Sequence, residues 1–311
     1  MTWNRNKVQK QVGGAISTIP TAFTKNYKVD YQQMYDATQV WIESGLVAGK
    51  SVIKAVAAMG EGPQLTETEW ITVIETVVKA SKNKVPIMAA IHYKDTIRTI
   101  EDAKKATDVG ILALQISPPV FNQPTQDDIL RYFEAVSNNI NTGILIYNTH
   151  WLTHGAIYPD TFRKMRDFEK IIGIKWSPPQ GVKYEEIFDL SNVFNIVDNS
   201  NQPVRCHQLG GKGFLSDGIA AYPKYFIGIW DMLEQGLYDQ AQVEWNRVML
   251  PLVEFYGKVT SKNGGDGQVE KAMSEIMGLP MGPPRPPSLP LTKDDMAELK
   301  SLMTNWGWPV A

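Results

Sequence analysis

Ile171-Ile172-Gly173-Ile174-Lys175-Trp176 is the stretch that decides the fold. It is apolar at successive positions, where a half-exposed antiparallel strand would alternate; near-continuous runs belong to parallel strands covered on both faces. Seven other short runs read the same way: GAISTIP (14–20), SVIKAVAAM (51–59), VPIMAAI (85–91), ILALQIS (111–117), GILIYN (143–148), VFNIVD (193–198) and GFLSDG (213–218). Amphipathic stretches such as YQQMYDATQVWIESG, EWITVIETVVKASK, TIEDAKKATDVG and DDILRYFEAVSNN lie between them. Thr66 and Glu69 have capping-box spacing, which predicts a helix from about Glu67.

Strand ends recur at roughly 20 to 40 residues, the length of a strand, a helix and two short loops. Eight such units close a barrel. The expected fold is therefore α/β: a (β/α)8 TIM barrel over residues 1–235 with a C-terminal helical extension over residues 236–311. From about Tyr222 the chain reads as helices only, and the link LPMGPPRPPSLP reads as an extended surface segment before a last helix opened by Thr292 and Asp295. An open doubly wound sheet would want a glycine-rich phosphate turn after an early strand. Thr21-Ala22-Phe23-Thr24-Lys25 follows the first strand instead.

Composition narrows the function. The 311 residues carry 31 basic and 33 acidic side chains, a net charge of -2, so no global field draws nucleic acid or anionic membrane. No apolar run approaches the ~18 to 20 residues of a membrane span. The start, MTWNRNKVQKQVGG, lacks the apolar core of a secretory signal, and a cytoplasmic protein is expected. The single cysteine, Cys206, forbids an intrachain disulfide, and four histidines with one cysteine give no zinc finger or ribbon. The i, i+4 pair His150 and His154 lacks a supporting carboxylate, so neither metal nor cofactor is expected. Gly210-Gly211-Lys212-Gly213 lacks phosphate-loop spacing, and no GxSxG, HExxH or CxxC motif occurs.

Lys175 carries the most chemical information. It lies at the carboxyl end of its strand, where such barrels place catalytic groups. An ammonium in apolar surroundings loses hydration, its pKa falls, and the neutral amine is a nucleophile toward carbonyl carbon. Lys54, inside Val52-Ile53-Lys54-Ala55-Val56, offers the same chemistry but sits several residues before the end of its run. Tyr147 ends the preceding strand, one strand spacing of about 4.8 Å from Lys175, so phenol and amine can meet above the barrel mouth.

With these residues in view, the chain resembles the dihydrodipicolinate synthase and N-acetylneuraminate lyase family of class I Schiff-base aldolases, from about Gly14 to Trp306. The resemblance rests on Gly60-Glu61 before Leu65-Thr66-x-x-Glu69, on Pro119-x-x-Asn122-x-Pro124 with Gln126, on Tyr147-Asn148 and on Gly173-Ile174-Lys175. It continues through Gly210-Gly211-Lys212-Gly213-Phe214-Leu215-Ser216 and Gly278-Leu279-Pro280 with Arg285-Pro286-Pro287. It implies that Lys175 forms an imine with a 2-keto acid, commonly pyruvate, and that Tyr147 relays protons. Around the substrate it sets Ala58, Met59, Phe121, His150 and Leu215. It also implies a homotetramer.

Departures from the family pattern are equally informative. Ala57-Ala58-Met59-Gly60-Glu61 stands where the family has Gly-Thr-Thr-Gly-Glu, so two hydroxyls are missing, although the N–H groups of Ala58 and Met59 can still bind a carboxylate. Val120-Phe121 replaces a Tyr-Tyr pair, and Leu152 falls near the arginine that binds the aspartate semialdehyde carboxylate, which argues against lysine biosynthesis. Ala58, Met59, Phe121, His150, Trp151 and Trp176 suggest an apolar, aromatic lining.

The expected activity is a cofactor-independent lyase that makes or breaks a C–C bond between a 2-keto acid bound on Lys175 and an apolar or aromatic aldehyde. Tyr147 would take the substrate's hydroxyl proton, with His150 or His154 replacing the lost relay. Alternatives are a dehydratase or hydratase-aldolase using the same imine, and a catalytically reduced homologue acting as a metabolite-binding or regulatory protein.

Overall fold

The computed structural model describes residues 3–311. Its strands are β1 (Gly14–Thr18), β2 (Ser51–Ala55), β3 (Ile87–Ile91), β4 (Ala113–Ile116), β5 (Gly143–Tyr147), β6 (Ile171–Trp176), β7 (Asn195–Asp198) and β8 (Gly213–Leu215). They pair in chain order into a closed barrel, parallel throughout, with β8 returning to β1. Every strand residue is buried, which is why the runs read as continuous and not alternating.

A short α1 (Arg5–Gln9), which the sequence pattern did not announce, covers the amino end of the barrel. The Gln9 side chain donates to the carbonyls of Ile172 and Val193, and Asn195 donates back to Gln9 and Val12. Val8, Val12, Ile16, Val52, Met88, Leu145, Ile172, Val197 and Leu215 form an inner apolar cluster. The interior below the site is thus a packed core.

Outside the sheet run α2 (Tyr31–Glu43), α3 (Glu67–Ser81), α4 (Thr96–Val109), α5 (Gln126–Asn139), α6 (Pro159–Lys164), α7 (Pro203–Gln208) and α8 (Pro223–Glu234). The predicted capping box is present: Thr66 accepts from the Glu69 N–H and Glu69 accepts from the Thr66 N–H. Between β6 and β7 the connector is only a 3-10 turn, Tyr184–Leu190. The chain then forms α9 (Tyr238–Thr260), α10 (Gly267–Ile276) and α11 (Lys293–Asn305), the last capped by Thr292 as its sequence predicts.

The proline-rich link runs without helix or strand, and Arg285 ties it to Glu69 through two hydrogen bonds of 2.9 and 2.6 Å. Among the described residues, no helix is long and apolar enough to cross a membrane.

Candidate active site

The carboxyl ends of the strands surround a cavity of about 230 Å³ whose lining includes Lys175 and Tyr147. The register pairs Tyr147 with Lys175 across β5 and β6. The two side chains meet, but not through the phenol oxygen: Lys175 Nζ stands 3.6 Å from the centroid of the Tyr147 ring. Only 7% of Lys175 is exposed. Burial pulls its pKa from 10.5 down to about 7, with Asp217 and Asp266 pulling the other way, so a large neutral fraction exists at neutral pH. Burial, helped by Tyr93, Asp266 and Asp217, pushes the Tyr147 phenol up.

Asn148, next to Tyr147, explains the Tyr-Asn dipeptide structurally. Its Nδ2 donates to the carbonyls of Ile157 and Ser177, and its Oδ1 accepts from the Ile157 N–H at 2.9 Å. The loop after β5 is thereby fastened to the loop after β6, which holds Tyr147 against Lys175.

Strand β2 stops at Ala55, short of the predicted Met59, because Val56 takes φ +51° and turns the chain across the barrel mouth. A β-branched residue is strained there, and the surrounding packing holds it. Gly62 makes the turn feasible: a Cβ at that position would lie 1.7 Å from the Val56 carbonyl oxygen. The early end of β2 corrects the reading of Lys54, which sits one residue from the strand end and lines the same cavity as Lys175. Lys54 is 1% exposed, its Nζ donates to Gln115 Oε1 at 2.7 Å, and burial together with Lys175 holds its pKa well below the usual lysine range.

The turn carries Ala58 and Met59 into the cavity lining, and neither backbone N–H is engaged by a backbone carbonyl among the described residues. Beneath it, Glu61 forms a buried ion pair with Lys271 of α10, Oε2 to Nζ 2.5 Å, and accepts from the Arg285 N–H at 2.9 Å. Thr21 Oγ1 donates to the Gly60 carbonyl at 2.6 Å. The Gly60-Glu61 dipeptide therefore anchors the turn bearing Ala58 and Met59 to α10 and the proline-rich link.

On the opposite wall, Asp198 at the end of β7 accepts from the Tyr184 hydroxyl and the N–H groups of Ser200 and Gln202. This closed network shapes the loop that delivers Asn199 and Asn201 to the cavity. Ser216 and Asp217 follow β8, and Asp266 arrives from the turn before α10.

Among the residues singled out from sequence, Lys175, Tyr147, Ala58, Met59 and Leu215 share the cavity. Phe121 and His150 are not among its lining residues. Phe121 sits on a 3-10 turn, Val120–Asn122, with its ring 89% exposed. His150 packs edge-on to Trp151 at 5.1 Å, outside the cavity, and His154 is exposed. Neither histidine is therefore placed for the relay expected of it. Trp176 points away, its Nε1 donating to the Tyr184 carbonyl at 3.0 Å.

The expected apolar, aromatic lining is corrected accordingly. Thr18, Lys54, Gln115, Asn199, Asn201, Ser216, Asp217 and Asp266 make it polar. Asp217 was within reach of sequence reasoning, since it follows GFLSDG's apolar start at a strand's carboxyl end. Asp266, in a glycine-rich turn far along the chain, carried no such signal. Among the described residues, no arginine lines the cavity.

Residues 11–306 match the model of the dihydrodipicolinate synthetase family. A 4-hydroxy-tetrahydrodipicolinate synthase of Methanococcus maripaludis strain C6 is 28% identical over 295 residues, 94% of this chain and 98% of the relative. The structure of dihydrodipicolinate synthase from Aquifex aeolicus superposes with a TM-score of 0.85 at 22% identity, covering 96% of this chain and 99% of that one. A chloride-inhibited dihydrodipicolinate synthase from Acinetobacter baumannii, solved with pyruvate, superposes with a TM-score of 0.83 at 23% identity, covering 96% and 99%.

Proposed function

The chain belongs to the dihydrodipicolinate synthetase family and is a class I, imine-forming aldolase-type lyase, and from that premise we propose that Lys175 is the imine-forming residue. The observation that carries this reading is a buried lysine amine, pulled down to about 7, opening into a polar cavity at the barrel mouth. Its nitrogen attacks C2 of pyruvate, water leaves from the carbinolamine, and the resulting iminium withdraws electrons from the bond to be made or broken. Tyr147, whose ring lies under the amine, shuttles the protons of carbinolamine dehydration. The free N–H groups of Ala58 and Met59 bind the keto acid carboxylate in place of the missing hydroxyls.

The second substrate is an aldehyde, and the polar wall of Asn199, Asn201 and Ser216 favours one bearing hydroxyl or other hydrogen-bonding groups. A cavity without arginine supports a reaction other than that of a lysine-pathway synthase, whose aldehyde carries a carboxylate. Dehydration through the same imine is the second reading, favoured by the acids beside Lys175 that can protonate a departing hydroxyl. The open nucleophilic cavity speaks against a purely regulatory role.

Assembly as a cytoplasmic homotetramer belongs to the same proposal, and the exposed Phe121, Val243, Leu250 and Val253 are apolar surface that an assembly would cover. So does the division into a barrel, residues 1–235, and an extension, residues 236–311.

Incubation with a panel of 2-keto acids followed by borohydride reduction should leave a mass adduct on Lys175. Absence of an adduct across the panel, with the protein folded, overturns the reading. The pH dependence has a definite sign. Below about 7 the Lys175 amine is protonated and cannot attack, so the rate of cyanoborohydride trapping with pyruvate should fall about tenfold per pH unit there. A trapping rate that stays flat down to about pH 5 would contradict this assignment of the nucleophile.

A further inference from the structure

Carbon–carbon chemistry on the imine needs a base that can also act as an acid, and the residues expected to fill that place do not. His150 and His154 lie outside the cavity, and Tyr147 turns the face of its ring, not its hydroxyl, toward the Lys175 amine. Two carboxyls, in contrast, open into the cavity beside Lys175. Asp217 comes from the loop after β8 and Asp266 from the turn that starts α10.

We propose that Asp217 is the general base and acid of the reaction and that Asp266, carried by the C-terminal helices, is its electrostatic partner. The proposal rests on the imine reading above. It makes the extension part of the active site.

The surroundings of Asp217 suit the task. Burial and the neighbouring Asp266 push its pKa up to about 6, opposed by Lys175, so it is mostly ionised at neutral pH and close to the optimum for reversible proton transfer. Asp266 is exposed at the rim of the cavity; partial desolvation raises its pKa and the positive charge of Lys175 lowers it. Behind Asp217 lie Tyr256, half-buried, and Glu270, fully buried. Glu270 Oε2 accepts from the Gly218 N–H at 2.8 Å, which fixes the turn carrying Asp217. Burial pushes Glu270 up to about 8, so it stands neutral and adds no second charge. The titratable groups around the pair are therefore Lys175, Tyr147, Tyr93, Tyr256 and Glu270, with Lys54 lining the same cavity.

In the cleavage direction Asp217 takes the proton of the substrate's C4 hydroxyl. The O–H electrons form the aldehyde carbonyl, the C3–C4 bond breaks, and its electron pair forms the C2–C3 double bond as the iminium becomes an enamine. The aldehyde leaves, and Asp217 returns its proton to C3, regenerating the iminium. Water then hydrolyses the iminium, releasing pyruvate and the Lys175 amine. The last proton transfer can be run in reverse without knowing the aldehyde: Asp217 removes a C3 proton from the pyruvyl iminium.

The test is deuterium exchange into the methyl group of pyruvate in D2O, followed by NMR at saturating pyruvate, beside borohydride trapping of the same samples. Asp217→Asn should keep the Lys175 adduct while exchange falls by about 10²- to 10⁴-fold, and Asp217→Glu should recover part of it. Asp266→Asn should keep the adduct and move the acid limb of the exchange profile to lower pH, because a neighbouring negative charge has gone. Exchange in Asp217→Asn within about threefold of the unaltered protein, or a profile unmoved by Asp266→Asn, overturns the proposal. An Asp217→Glu variant no faster than Asp217→Asn also counts against it. If the unaltered protein forms no adduct, the imine reading itself falls and the role of Asp217 falls with it; an adduct with undiminished exchange in the variants removes Asp217 alone.

Discussion

Lys175→Ala should abolish the reducible keto acid adduct and lower turnover by at least about ten-thousand-fold, since removing the covalent nucleophile leaves only binding and electrostatic assistance. The fold should survive, because the substitution removes a desolvated amine from a site where burial already opposes its charge. Circular dichroism and the thermal midpoint, measured beside the trapping assay, separate loss of chemistry from loss of structure. Lys54 is the informative control. It lines the same cavity and is also held below the ordinary lysine range. Lys54→Met should still yield an adduct on Lys175, whereas turnover and an adduct persisting in Lys175→Ala would make Lys54 the nucleophile.

Lys271→Met should destabilise the protein by about 3 to 5 kcal/mol, the penalty of leaving one member of a buried ion pair without its partner. Both Lys271 and Glu61 are about 4% exposed, so water cannot rescue the orphaned carboxylate. Because Glu61 anchors the turn bearing Ala58 and Met59, the same variant should raise the KM for the keto acid more than it lowers kcat. Equilibrium denaturation and steady-state kinetics check the two effects. The double change Glu61→Gln with Lys271→Met should regain much of the lost stability, since no uncompensated charge remains. A single variant as stable as the parent would show that the pair does not hold the extension to the barrel.

How far the site was legible depends on how local its signals are. Lys175 and Tyr147 announce themselves because each ends a continuous apolar run, and strand ends in a parallel barrel converge on one mouth. Lys54 reads as lying well inside its strand because Val56-Ala57-Ala58-Met59 continues an apolar pattern that does not distinguish a strand from a turn. The left-handed Val56 that ends β2 is stabilised by distant packing, and no residue-type preference predicts it. Phe121, Trp151 and Trp176 depend on tertiary context in another way. Aromatic side chains near a site need not face it, and here one ring is exposed, one is half-exposed and one is packed beneath the helices.

The sequence by itself determined the closed parallel barrel, the helical tail and the lysine–tyrosine pair, because strand burial, helix capping and strand-end position are written in short stretches of chain. Only the tertiary structure decided which groups share the pocket with that lysine. Asp217 and Asp266 are distant in sequence and line one cavity because α10 packs back over the barrel mouth, fastened by Lys271 to Glu61. The ionisation of Lys175 was likewise beyond the reach of residue type alone: it follows from water excluded by the completed fold, opposed by two carboxyls that folding brings to its side.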